Sequence, residues 1–198
     1  MTAWDSPAHP AEYDYLAFAP HWLRTRFYER YNEIKALPAT VSSIIEVGCA
    51  TGELARYLRH RYPRARYIGY DISPAAIARA RQKCDATFIC GHFQDYPTRA
   101  ALVICRDVVH HQPDPWQFLT DLYRLTERWL IVRLRTGPHT TSATQSLYGY
   151  AVPYWILSKD DLRHWATHQG CGLTWLDAPE PSPAFWLRSA IWITRQCM

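Results

Sequence analysis

Residues 44–58 read IIEVGCATGELARYL, an apolar run that turns through two glycines into a helical pattern. Small residues between a strand and a helix let a ligand approach the main chain closely. Gly48 and Gly52 are spaced G-x-x-x-G, with Glu46 before them. A pyrophosphate site would instead carry G-x-G-x-x-G and set helix amides against the phosphates. Here Ala50 replaces the middle glycine, and an acid at the strand end would repel phosphate. The turn suits a cationic ligand. His110 and His111, after a later apolar run, are the candidates for proton transfer, because histidine titrates near neutral pH. Adjacent histidines lack the i, i+4 spacing of two metal ligands on one helix face, and the six cysteines show no CxxC. No metal is expected.

The elements that must position these residues alternate along the chain. Strand patterns are expected at 43–47, 66–70, 87–90, 102–105 and 129–134, and two more at 173–176 and 187–194. Helical spacing covers 53–61, with Leu54, Tyr57 and Leu58 on one face. Ser73 before Pro74, and Asp114 before Pro115, are start signals for helices, the second with Phe118, Leu119, Leu122 and Leu125 on one stripe. Ser158 with Asp161 reads as a capping box opening 159–169, and Gly170 stops that helix. Regular alternation lapses over 135–155. Strands separated by helices call for a mostly parallel sheet covered on both faces. Ligands in such α/β sheets bind at the carboxyl ends of the strands. That places residues 46–52, Asp71, 91–95 and 106–111 at the site.

The chain has 198 residues, 48% of them hydrophobic and 14% aromatic, enough for one packed domain. No stretch approaches the ~20 unbroken apolar residues of a membrane span, and the N-terminus lacks a signal-peptide layout. The cysteines read as reduced, and the protein as cytoplasmic. The formal net charge is +4, and Lys35, Lys83 and Lys159 are the only lysines. Arginine suits bidentate contact with carboxylate or phosphate, although ARYLRHRYPRARY reads better as a solvated face.

Four segments, in order, resemble one family. EVGCATG (46–52) resembles the first motif of the class I S-adenosylmethionine-dependent methyltransferases, E/D-x-G-x-x-x-G, and IGYDIS (68–73) resembles their second. LVICRDVVHHQPDP (102–115) is similar to the segment after their fourth strand, and LSKDDLRHWATHQGCGLT (157–174) to their late helix and glycine turn. The resemblance covers about residues 41–195. It implies a Rossmann-like three-layer α/β sandwich whose mostly parallel, seven-stranded sheet ends in an antiparallel last strand. One domain follows, with a helical cap (1–40), a cofactor core (41–135), a substrate cover (136–157), and a closing helix with two strands (158–198).

The resemblance also implies site residues. Glu46, Gly48, Ala50 and Gly52 would lie at the methionine part of S-adenosylmethionine, Asp71 would hold the ribose, and Ile72 would pack on adenine. Arg106 joins the cofactor set from the fourth strand's end. Where the family usually has Gly-Asp after the third strand, this chain has GHFQDYP. His92 could accept from the adenine amine, Asp95 could supply that bond, or Phe93 could cover the ring. His110 or His111 is the expected base, with His110 favoured. Tyr13 and Tyr15 are lid candidates, and Arg24 or Arg26 would meet an anionic acceptor. The plainer reading of that stretch is an amphipathic helix burying Leu16, Phe18, Trp22, Leu23 and Phe27. His139, Tyr150 and Trp155 belong to the cover and would line an acceptor site. The expected reaction is O- or N-methylation of a small molecule. A non-methylating protein of the same fold, serving as a binding module or cofactor-assisted rearrangement catalyst, is the alternative. A nucleic-acid methyltransferase fits less well, because the Asn/Asp-Pro-Pro-aromatic motif of base-amine modifiers is missing.

Overall fold

The apolar run Ser43–Val47 is buried at every position and forms β1, the middle of the sheet. The computed structural model describes residues 3–6, 16, 19–176 and 187–195. β1 pairs in parallel with β2 (Arg66–Asp71) on one side and β4 (Ala100–Arg106) on the other. Beyond them lie β3 (Thr87–Cys90) and β5 (Thr126–Gly137), also parallel. β9 (Leu187–Arg195) runs antiparallel along β5, and β8 (Cys171–Trp175) pairs antiparallel with β9. The path β3-β2-β1-β4-β5-β9-β8 therefore contains the expected seven strands, with the last in sequence antiparallel. Strand order reverses between β1 and β4, which opens a crevice at their carboxyl ends.

Side chains alternate across each strand, so the sheet builds two cores. One face carries Ile45, Val47, Val103, Cys105, Val132 and Leu134 against α5 (Pro115–Leu125) and α6 (Lys159–His168). The other carries Ile44, Tyr67, Leu102, Ile104 and Ile131 against α3 (Glu53–Arg61) and α4 (Pro74–Lys83). The N-terminal segment adds α1 (His21–Tyr28) and α2 (Asn32–Lys35) to this second face, burying Leu16, Tyr28, Ile34 and Leu37. The amphipathic reading of α1 holds only in part. Phe27 packs at the margin of this core, whereas Trp22 is 63% and Leu23 39% exposed. Phe18 lies outside the described residues.

The expected starts of α4 and α5 rest on side-chain caps. Ser73 Oγ accepts from the Ala76 amide at 3.3 Å, and Asp114 Oδ1 accepts from the Trp116 and Gln117 amides at 3.0 Å. At α6 the capping box works through an intermediary. Ser158 Oγ accepts from the Asp161 amide at 3.0 Å, but the Ser158 amide donates to Thr140 Oγ1 at 2.9 Å, and Thr140 in turn donates to Asp161.

The region of lapsed alternation is not a loop. β6 (Thr141–Leu147) and β7 (Tyr150–Ser158) form an antiparallel hairpin, and β7 joins the end of β5 through Thr136 and Gly137. Its two-residue turn, Tyr148-Gly149, has positive φ at both positions (52° and 84°), the twist that suits a tight hairpin. TSATQSL lacks apolar residues at alternate positions because β6 is mostly exposed, and the strand left no periodic signal.

Candidate functional site

At the crevice the carboxyl ends of β1, β2 and β4 surround a cavity that opens to solvent. The glycine turn forms its floor. The Gly48 and Cys49 amides donate to the Tyr70 carbonyl at 2.8 and 3.0 Å, folding the turn onto the end of β2. Gly48 has φ +77°, and a Cβ there would stand 2.3 Å from Val108 Cγ2, so no side chain fits. Ala50 also holds a positive φ, 46°, and its amide donates to Asp71 Oδ2 at 2.8 Å. Asp71 Oδ1 accepts from the Ser73 amide at 2.9 Å. Two amides thus fix a carboxylate on the cavity wall, a group that can accept from a ligand's hydroxyls.

Glu46 and Gly52, expected against the ligand, do not reach the cavity. Gly52 caps α3 with φ +74°, and a Cβ there would meet Ala80 Cβ and Phe88 Cζ, both at 3.1 Å, so its work is close helix packing. Glu46 points to the opposite sheet face from Val47, where it is 5% exposed and accepts from the Tyr67 hydroxyl. Burial raises its pKa to about 7, against the Tyr67 bond and nearby Arg106 that favour the carboxylate. Glu46 is therefore not a fixed negative charge at neutral pH. The native state holds this proton up to about pH 7 and the unfolded chain releases it near 4.5, so stability falls as pH rises between the two. Glu46→Gln, which keeps an acceptor for Tyr67, is expected to stabilise the fold at pH 8 by up to about 3 kcal/mol and to change little at pH 5. Urea unfolding at the two pH values measures this.

Ile72, Phe93 and His92 line the corner beyond Asp71. Phe93 is buried edge-on to Phe118, with ring centroids 5.3 Å apart, and Ile72 is 37% exposed. Of the three adenine candidates, His92 and Phe93 line the cavity and Asp95 does not. At the other side stand Arg106 and Asp107. Arg133 chelates Asp107, its Nε donating to Oδ2 at 2.8 Å with a second nitrogen on the same oxygen. Burial opposes that charge, but Arg133, then Arg106 and Arg135, hold the Asp107 carboxyl down at about 2.

The two histidines separate. Both lie on the one-turn 3₁₀ helix Val109–His111, whose successive side chains are about 120° apart, so only one of a neighbouring pair can face the cavity. That one is His111. His110, the favoured base from sequence, is 3% exposed and packs against His111 and Tyr154 behind the wall. His111 Nδ1 lies 3.1 Å from the Pro153 carbonyl, which can only accept, so Nδ1 carries the proton and Nε2 keeps its lone pair. Burial lowers the His111 pKa against the Pro153 bond that favours the charged ring, and Arg135 adds to the lowering.

The expected acceptor residues fare differently. Tyr13 and Tyr15 lie outside the described residues. Arg26 is exposed on α1, His139 is exposed at the bend before β6, and Tyr150 sits at the hairpin turn; none lines the cavity. Trp155 does not line it either, because its Nε1 donates to the Gln112 carbonyl at 3.0 Å. Pro153 and Trp155 together make the hairpin a brace for the turn that carries His111. Trp4, missed in the sequence, lines the cavity with its ring 5.5 Å from His111, and Gln94, Gln112 and Phe118 join it. Nothing periodic surrounds Trp4, so no sequence signal marked it. Among the described residues no group of His, Cys, Asp and Glu could hold a metal ion, and no helix is long and apolar enough to cross a membrane.

Residues 44–128 match a family model described as a methyltransferase domain. Over 97 residues the chain is 38% identical to a trans-aconitate 2-methyltransferase of Streptomyces coelicolor, covering 49% of this chain and 30% of that protein. Over 154 residues it is 31% identical to a malonyl-[acyl-carrier protein] O-methyltransferase of Legionella pneumophila, covering 74% of this chain and 53% of that one. The chain thus spans about a third to a half of these relatives' length. Its fold matches that of magnesium protoporphyrin IX methyltransferase from Synechocystis PCC 6803 with bound SAM, at TM-score 0.67 and 18% identity, over 98% of this chain and 93% of that one.

Proposed function

We infer that this chain is a class I S-adenosylmethionine-dependent methyltransferase, the family that its motifs, its matched relatives and its fold resemble. The chain binds S-adenosylmethionine in the crevice between β1 and β4 and directs its methyl group to a small-molecule acceptor. The observation that carries this reading is the Asp71 carboxylate, fixed by the Ala50 and Ser73 amides beside a turn that admits no side chain at Gly48.

The residues fit the cofactor along its length. Asp71 has acceptor positions for two ribose hydroxyls. Ile72 and Phe93 offer apolar surface to adenine, with His92 beside them for its amine. Gly48 and Ala50 leave room under the methionine part, and Arg106 answers its carboxylate. When bound, S-adenosylmethionine supplies a methyl group on a positively charged sulfur, open to in-line displacement by an oxygen or nitrogen nucleophile. The chain contributes alignment and exclusion of water. Trp4 walls the cavity near His111. There the neutral His111 Nε2 takes the proton that a hydroxyl or amine acceptor must shed. The small-molecule class of acceptor is supported by the trans-aconitate and malonyl-carrier names of the relatives.

Calorimetric titration with S-adenosylhomocysteine tests the binding half of this reading. Mass-spectrometric detection of a methylated product, with S-adenosylmethionine and a panel of carboxylate, phenol and amine acceptors, tests the other half. Absence of any heat of binding on folded protein would overturn it.

A further inference from the structure

Arg106 is held from the N-terminal cap. Its Nε donates to Glu33 Oε1 at 3.2 Å, and the same oxygen accepts from Arg133 at 3.3 Å. Glu33 is 3% exposed, so this is a desolvated ionic contact and not a surface pair. Tyr31, two residues earlier, packs against both arginines, with each guanidinium carbon 4.9 Å from its ring centroid. Arg133 is spent on Asp107 and Glu33. Arg106 differs: it lines the cavity, and its two terminal nitrogens make no hydrogen bond among the described residues. With Nε locked and the plane set against Tyr31, those nitrogens form a fixed fork, the geometry that reads a carboxylate through two parallel bonds.

We propose that Glu33 is a positioning residue: it sets Arg106 to receive the carboxylate of the cofactor's methionine part, and so makes the site prefer the whole cofactor to fragments without that carboxylate. This rests on the cofactor reading above. It assigns to the N-terminal cap a share in ligand selection, through a residue that does not itself line the cavity. A flexible arginine would lose conformational entropy on binding, and the cap removes much of that cost in advance.

The test compares S-adenosylhomocysteine with 5′-methylthioadenosine, which keeps adenine, ribose and sulfur but lacks the amino-acid part. Glu33→Gln and Arg106→Met are each expected to weaken S-adenosylhomocysteine about tenfold or more and to leave 5′-methylthioadenosine within about twofold. The double variant should be no worse for S-adenosylhomocysteine than Arg106→Met alone, because Glu33 acts on that ligand through Arg106. Equal weakening of both ligands would mean that Glu33 only supports the fold, and would overturn the proposal. So would unchanged S-adenosylhomocysteine binding in Glu33→Gln, with the cofactor reading left standing. If the wild-type protein binds neither ligand, both readings fall. Should Glu33→Gln not fold, Glu33→Asp, which keeps the charge but withdraws it by one methylene, decides by the same ratio.

Discussion

Asp71→Ala raises the dissociation constants for S-adenosylmethionine and S-adenosylhomocysteine about a thousandfold, the largest binding effect expected of any single change. The carboxylate acts twice. In the proposed reading it offers charge-assisted hydrogen bonds to a ribose diol, each worth about 1.5–3 kcal/mol. It also ties Ala50 to Ser73 through its two oxygens, at 2.8 and 2.9 Å. Alanine removes both, and leaves the Ala50 amide without its acceptor in a backbone already at φ 46°. Asp71→Asn should fall between, because an amide has one accepting oxygen where the carboxylate has two. Isothermal titration at neutral pH gives the three constants. An Asp71→Ala constant within about threefold of wild type would remove the ribose role.

His111→Ala is expected to lower kcat about a hundred- to a thousandfold with a hydroxyl or amine acceptor, while S-adenosylhomocysteine affinity stays within about twofold. The size follows from general base catalysis, and the selectivity from the proposed roles, in which Asp71 and the glycine turn, not His111, hold the cofactor. The pH profile supplies the sign. Burial lowers the His111 pKa, so the base form persists into mildly acidic solution. The acid limb of kcat should therefore sit below the ordinary histidine value of about 6.5 and disappear in the variant. His110→Ala should instead unsettle the fold around Tyr154 and leave the position of that limb unchanged. If His111→Ala kept the wild-type limb, the proton would be leaving by another route. Pro153 matters here too, since its carbonyl fixes which ring nitrogen is free.

Local signals read well where the physics is local. A serine or aspartate before proline starts a helix through bonds that span three residues, and α4 and α5 begin where Ser73-Pro74 and Asp114-Pro115 placed them. Continuous apolar runs between helices became parallel strands, because only a sheet covered on both faces can bury them. The glycine turn, Asp71, Ile72, His92, Phe93 and Arg106 were legible because they sit at strand ends, where such folds gather a site.

Facing was not legible. Whether Glu46 or Val47 meets the cavity depends on which sheet face α3 and α4 cover, and whether His110 or His111 does depends on how a single turn lies against β7. The β6–β7 hairpin had no pattern to read, since an exposed polar ribbon buries little. The sequence by itself determined the order of the core strands and helices and the caps that start them, since those follow from short-range bonding and from hydrophobic period, while its motifs carried the resemblance that implied the family of fold. Only the tertiary structure decided that Trp4 comes to the cavity, that Trp155 braces Gln112, and that Glu33 crosses from the cap to Arg106. These contacts join residues tens of positions apart. They exist because packed layers bring distant side chains together, and no local rule of spacing encodes which of them will meet.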